Sequence, residues 1–275
     1  MLADLLHRIS GEVAMGLAQA GGAIALCLAV IAVCRRFTVR VEREAAVSLA
    51  RGLVQMVAVG IVLALLLRGS LLVGLLILLG MTFAAAVTAA RRARAVRGAL
   101  LISFWSIAAG SGVVIGAMIA MRTLDTRIAM LVPVGSMIIA NSMNSCAQAA
   151  ERFRADVTAH IGQVEAGLAL GADPAVAVSP YVRSAVYASL LPRLDMLKSL
   201  GLVWIPGVMA GMMVSGASPI YAGIYQFILV AMILTASGIS GLVVTLLLRT
   251  RAFSPAAQLT LRGDAAAAAG ALSAR

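Results

Sequence analysis

Apolar residues in this chain are gathered into long blocks. Seven stand out, at about 13–34, 47–67, 70–90, 99–121, 129–149, 199–215 and 220–248. A helix rises about 1.5 Å per residue, so about 20 apolar residues cover a hydrocarbon core about 30 Å thick. The blocks predict an all-α fold, a polytopic transmembrane helical bundle of about seven spans. Block 199–215 is short and is interrupted by Pro206, Gly207 and Gly211, which predicts a broken or re-entrant helix.

Most polar stretches between blocks are brief. The longest, residues 150–198, has its own helical pattern: Phe153, Val157, Ile161, Val164 and Leu168 fall on one face. Gly171 then suits a left-handed helix end, and Asp173 followed by Pro174 suits the cap and first turn of a second helix. The segment reads as helix, tight turn, helix. The chain is expected to form one membrane domain over residues 1–255, with an alanine-rich disordered tail at 256–275.

Composition agrees with the pattern. Apolar residues make up 62% and charged residues 12%, against about a quarter charged in a soluble domain. The net charge of +11 does not suggest nucleic acid, because the basic residues cluster between apolar blocks. With the N-terminus outside, all of the 22 basic residues except Arg8, Arg68, Arg122 and Arg127 fall on the inner side. That asymmetry predicts an N-out, C-in topology and puts segment 150–198 in the cytoplasm. Val13 to Cys34 is longer than the apolar core of a signal peptide, and its arginines follow it, so cleavage there is not expected. Cys27, Cys34 and Cys146 form no paired motif, so a disulfide framework is not expected.

The driving force for transport is not in the sequence. None of the 11 acidic residues falls in the middle of an apolar block, so the usual intramembrane proton relay is missing. The single lysine, Lys198, is followed by Ser199, but Leu197 stands where a phosphate-binding loop requires glycine. The chain is therefore not expected to be an enzyme, and any coupling must come from a partner; otherwise it is a passive channel.

Glu165-Ala166-Gly167, followed by Gly171, Ala172, Asp173 and Pro174, resembles the "EAA" coupling loop of ABC transporter permeases, with Gly167 in place of the second alanine. Further motifs appear in one order over roughly residues 40–255. They are Arg51-x-x-x-Gln55, Val132-Pro133 with Met137, Asn141 and Met143, Pro192-x-x-Asp195-x-x-Lys198-x-x-Gly201-Leu202, Pro206-Gly207-x-Met209-x-Gly211, and Pro219 with Tyr225-Gln226. With them the chain resembles the FetB-like ABC permeases, a family associated with bacterial iron export that has plant relatives in aluminium tolerance. Ser136 and Ala140 stand where that family more often has glycine. The resemblance implies a multi-pass permease of the bacterial inner membrane, a homodimer that docks a cytoplasmic ABC ATPase. ATP and Mg would be bound by that ATPase, with no cofactor in this chain. An alternative cargo is a nucleotide sugar or other small polar solute.

Several residues are candidates for a translocation path. Met137, Asn141, Asn144 and Gln148 recur near one face of the fifth block, broadened by Ser136, Ser142, Ser145 and Cys146. Amides in lipid seek partners, so this face is either helix–helix glue or a path lining. Met209, Met212 and Met213 share a face in the sixth; thioethers suit soft metals but also fill cores. Asp195 and Lys198 suit a local ion pair, acting either as a hinge anchor or as structural pairing alone, and Arg51 suits either lipid headgroups or a pairing with Asp195. His160, four residues after Asp156, is expected to pair on the helix surface.

Overall fold

The computed structural model describes residues 2–36, 42–66, 70–92, 98–254 and 258–259. Ten helices are found among the described residues: α1 (Leu2–Arg36), α2 (Glu42–Leu66), α3 (Leu71–Ala90), α4 (Ala99–Ala120), α5 (Ile128–Ala159), α6 (Ile161–Ala169), α7 (Pro174–Ala177), α8 (Ser179–Ser199), α9 (Gly207–Val214) and α10 (Pro219–Arg251). Only isolated bridges, Leu200 with Trp204 and Phe253 with Leu259, depart from helix and turn there. The fold is all-α, as the block pattern predicts. The expected disordered tail at 256–275 lies, apart from residues 258–259, outside the described residues.

The helices gather into two compact units, Met1–Leu67 and Arg68–Arg275. In the first, α1 packs on α2. In the second, α5 is the central element and touches α3, α4, α8 and α10, while α9 packs on α10. Five helices hold stretches long and apolar enough to cross a membrane: Ala14–Val33, Leu71–Ala90, Ala99–Ala120, Ile128–Ala159 and Pro219–Arg251, with a shorter apolar stretch at Ala45–Ile61. Leu72, Leu76, Phe83, Leu101, Trp105 and Phe227 remain exposed on the second unit, the outer surface that lipid would cover.

Without water to drive apolar collapse, helices in lipid associate where small residues let their backbones approach. The second unit is built on such contacts. A side chain at Gly74 would meet Leu131 at 3.0 Å, and one at Gly135 would meet Leu78 at 2.8 Å, so α3 and α5 interlock by two glycine–leucine pairs. Gly110 of α4 lies against Ser240 and the Ala236 carbonyl of α10, and Gly241 of α10 lies against Ser189 of α8. Some hydroxyls in these seams are satisfied within their own helices, as Ser106 donates to the Ile102 carbonyl at 2.6 Å and Ser111 to the Ile107 carbonyl at 2.7 Å, whereas that of Ser240 has no hydrogen-bond partner among the described residues. Tight contact therefore forms at Gly135, while Ser136 is half-buried and Ala140 exposed, so the two departures from the family pattern fall outside the closest packing.

Three elements refine the block pattern. First, α5 does not end at residue 149; it continues to Ala159, because nothing between carries a glycine or proline, and the break comes at His160. Second, block 199–215 is no span-length helix but a broken one, as its proline and glycines predict. Gly201 (φ 77°) and Gly216 (φ 92°) turn the chain on either side of α9, whose 8 residues cover only about 12 Å. Pro206, which has no N–H to give, sits just before α9. Third, within segment 150–198, α8 leaves the hairpin and returns alongside α5 and α10.

Candidate functional site

The predicted helix–turn–helix is present as α6, a tight turn and α7. Its end has two interlocking hydrogen bonds. The Ala172 amide donates to the Gly167 carbonyl at 3.0 Å, and the Gly171 amide to the Leu168 carbonyl at 3.0 Å. This arrangement needs Gly171 in the left-handed region, where φ is 86°. Asp173 then caps α7: its Oδ1 accepts from the Ala175 amide at 2.7 Å, and Pro174 occupies the first helical position. At Gly167 an added Cβ would lie 3.9 Å from the Ala177 Cβ, an ordinary contact, so the alanine of the family motif would fit.

The hairpin is mounted firmly. Phe153, Val157, Val164 and Val178 are fully buried beneath it, with Ile161 and Leu168 packed against them, so the predicted apolar stripe forms the core. Asp156 ties α5 to α8: its Oδ2 accepts from Ser184 at 2.8 Å and pairs with Arg152 at 3.0 Å. Tyr181 stacks on His160 with ring centroids 5.3 Å apart and donates to Gln163 at 3.2 Å. The His160 ring meets the backbone carbonyl of Asp156 at 2.8 Å, where a surface pairing was expected. The turn closes a recess of about 430 Å³ with the end of α10, lined by Asp173, Pro174, Arg249 and Phe253.

The tip points outward. Leu170 is 90% exposed and Val176 64% exposed, with Ala166, Ala169, Gly171 and Asp173 exposed between them; Glu165 and Ala172 are half-buried. Two apolar side chains on a rigid turn form a small patch of the kind that another protein covers. Sequence reasoning missed this display, although the helical period alone sets Leu170 off the buried stripe. It also missed the Asp156–Ser184 tie, for which no local signal exists across 28 residues.

The candidate path residues are not brought together as one group. Asn141 folds back on α5, donating to the Met137 carbonyl at 2.7 Å; Asn144 is exposed; Gln148 is half-buried with its Oε1 enclosed and lacking a hydrogen-bond partner among the described residues. Ser142, Ser145 and Cys146, expected to broaden that face, are instead buried on the packed side of α5. There they join Ser103 and Ser106 of α4, Ser189 of α8, and Ser237 and Ser240 of α10 in a polar interior. Gln226 is also buried, and neither atom of its amide has a partner among the described residues.

The three methionines also part. Met209 packs near Gly223, Met213 is exposed, and Met212 lines a recess of about 620 Å³ with Ile119, Val134, Tyr221 and Tyr225. This recess is at the end of the second unit away from the hairpin, beside the first turns of α10. Asp195 and Lys198 do pair, at 3.3 Å. Arg51 is exposed on α2, in the first unit. Among the described residues, no group of three or more His, Cys, Asp or Glu side chains is placed to hold a metal ion.

Comparison with known proteins adds an independent view. The model of the uncharacterised protein family UPF0014 matches residues 17–253. The UPF0014 membrane protein STAR2 of Oryza sativa subsp. japonica is 34% identical over 238 residues, covering 86% of this chain and 84% of that protein. The protein named probable iron export permease protein FetB in Escherichia coli (strain K12) is 27% identical over 242 residues, covering 87% of this chain and 93% of its own. Protein ALUMINUM SENSITIVE 3 of Arabidopsis thaliana is 28% identical over 248 residues, covering 89% and 90%. No solved structure matches.

Proposed function

Because this chain belongs to the UPF0014 family of membrane proteins, we propose that it is the permease subunit of an ATP-driven exporter of iron or another metal ion. A separate cytoplasmic ABC ATPase binds ATP and Mg and supplies the power. The observation that carries this reading is the α6–α7 hairpin. It is capped on both sides of its turn, anchored to the bundle through Asp156, and displays Leu170 and Val176 at its tip. A lever that transmits closure of a motor needs these properties: little internal give, small residues at the turn, and an apolar surface to seat in a cleft. Glu165, Ala166, Gly167, Gly171, Ala172, Asp173 and Pro174 are its coupling residues. The reading includes a multi-pass protein of the bacterial inner membrane, N-out and C-in, working as a homodimer. The cargo is suggested by the name of the Escherichia coli relative.

The test is copurification of the ATPase with the full chain, followed by a survey of metal ions for stimulation of ATP hydrolysis in proteoliposomes. Stimulation by iron is the expected result. Copurification without any metal response refutes the cargo, and absence of copurification refutes the motor. A second cargo, a nucleotide sugar or other polar solute, is favoured by one observation: Asn144 leaves its amide exposed on α5. Vesicle uptake of a labelled nucleotide sugar separates the two cargoes.

A further inference from the structure

We propose that α8 is an intramembrane helix whose outer face, carrying the Asp195–Lys198 ion pair, is one wall of a water-filled path. Its register rests on contacts within the second unit. Ser184 reaches Asp156 at 2.8 Å, and Ser145 reaches the Ser189 carbonyl at 3.4 Å. A Cβ on Gly241 would lie 2.7 Å from the Ser189 hydroxyl, and one on Gly238 3.8 Å from the Leu190 side chain. Rising numbers in α8 meet falling numbers in both α5 and α10, so α8 runs antiparallel to both.

The register sets the depth. At a rise of about 1.5 Å per residue, Arg193, Asp195 and Lys198 lie about 6, 9 and 14 Å beyond Ser189. The same distances from Gly241 along α10 lead to Ser237, Thr235 and Met232. Those residues are at the middle of a 33-residue helix that is itself long and apolar enough to cross a membrane. The charges that the sequence reading put in a cytoplasmic loop are therefore level with the centre of the bundle.

Lipid is a poor covering for this face. Arg183, Tyr187, Asp195 and Lys198 lie on one stripe of α8 and are exposed, whereas Ala185 and Ser189 on the other side are buried. The side chains of Lys198 and Asp195 are 74% and 69% exposed, so their ion pair is not enclosed by protein. Arg193, four residues after Ser189, falls on the packed side, and its enclosed Nε has no hydrogen-bond partner among the described residues. Charges at this depth are strongly disfavoured against hydrocarbon and are stable beside water or a passing ion. Lys198 and Asp195 give this face one cation and one carboxylate, which suits a hydrated ionic solute. The word "path" rests on the permease reading; the wet face at mid-depth does not.

The experiment uses the full chain in proteoliposomes, with Cys27, Cys34 and Cys146 replaced by alanine. Single cysteines are introduced as Asp195→Cys, Lys198→Cys and, at the same level on the exposed side of α10, Thr235→Cys. Water-soluble thiosulfonates are expected to modify positions 195 and 198 and to spare 235. Spin labels at 195 and 235 are expected to report equal depth. At Asp195→Cys the anionic reagent, normalised to free thiol, is expected to react about fivefold faster than the cationic one, consistent with a potential of order kT. Lys198→Gln should reduce that ratio. Ser199→Cys serves where a charge variant fails to fold. Labels at 195 that collide with oxygen but not with aqueous quencher, or that report a depth outside the bilayer, overturn the proposal; a reversed charge preference at Asp195→Cys overturns the placement of Lys198 on the same face. Loss of ATPase copurification with normal labelling refutes the permease reading and leaves the wet helix standing.

Discussion

Gly110 is where the packing of the second unit is most sharply tested. An alanine there would place its Cβ against the Ser240 hydroxyl and 2.5 Å from the Ala236 carbonyl of α10. The hydroxyl can rotate away, but the carbonyl is helix backbone and cannot. Contacts of about 3.4 Å are ordinary for a Cβ, so α4 and α10 must separate locally by about 0.9 Å, and a gap of that size forfeits a quarter to a half of each dispersion contact it opens. Overpacking of this kind costs about 1–3 kcal/mol. For a unit of about 200 residues that lowers the unfolding midpoint by about 3–10 °C. Gly112, two residues on, supplies the control, because nothing lies within 4 Å of a Cβ there. Gly112→Ala should gain up to about 1 kcal/mol from helix propensity alone. The assay is alkylation of Cys146, which is fully buried at the centre of the bundle, by a thiol-reactive fluorophore during heating, in a background lacking Cys27 and Cys34. If Gly110→Ala melts with or above Gly112→Ala, the close approach of α4 and α10 is not what holds the unit together.

Other predictions concern the hairpin. Gly171→Val forces a β-branched residue into φ 86° and should destabilise the turn by about 1–2 kcal/mol, reducing ATPase copurification, whereas Gly171→Asn should be milder. Asp173→Ala removes the cap on the Ala175 amide and should cost about 1 kcal/mol, with Asp173→Asn close to wild type in the same melt. Gly167→Ala, which meets only the Ala177 Cβ at 3.9 Å, should be neutral or stabilising by up to about 1 kcal/mol and should retain the ATPase in a pull-down. Leu170→Ser should leave the melting curve unchanged, since the side chain is 90% exposed, yet weaken ATPase retention.

The all-helical class and the hairpin were legible because both depend on local signals. Long apolar blocks have one stable form in lipid, where every backbone group must be bonded within its own segment. Gly171 and Asp173-Pro174 mark a turn because backbone sterics act over a few residues and need no distant partner. The stripe from Phe153 to Leu168 likewise foretold the buried face of the hairpin, since the period of a helix decides which residues share a side.

What the sequence could not decide is which side of each helix meets which neighbour. Asn141 and Ser145 are one turn apart on α5, both polar and both small enough to sit in a seam. Asn141 is half-buried with its amide turned back on its own helix and Ser145 is fully buried, because α8 and α10 pack where Ser189 and Gly241 allow backbones to meet. Hydropathy missed α8 for a related reason: Arg183, Arg193, Asp195 and Lys198 mark it as polar, and only its antiparallel contacts with α5 and α10 show how deep it runs. Composition along a chain reports the preferred solvent of each segment; the depth and facing of a polar helix depend on the partners that close around it, and those are settled by packing alone.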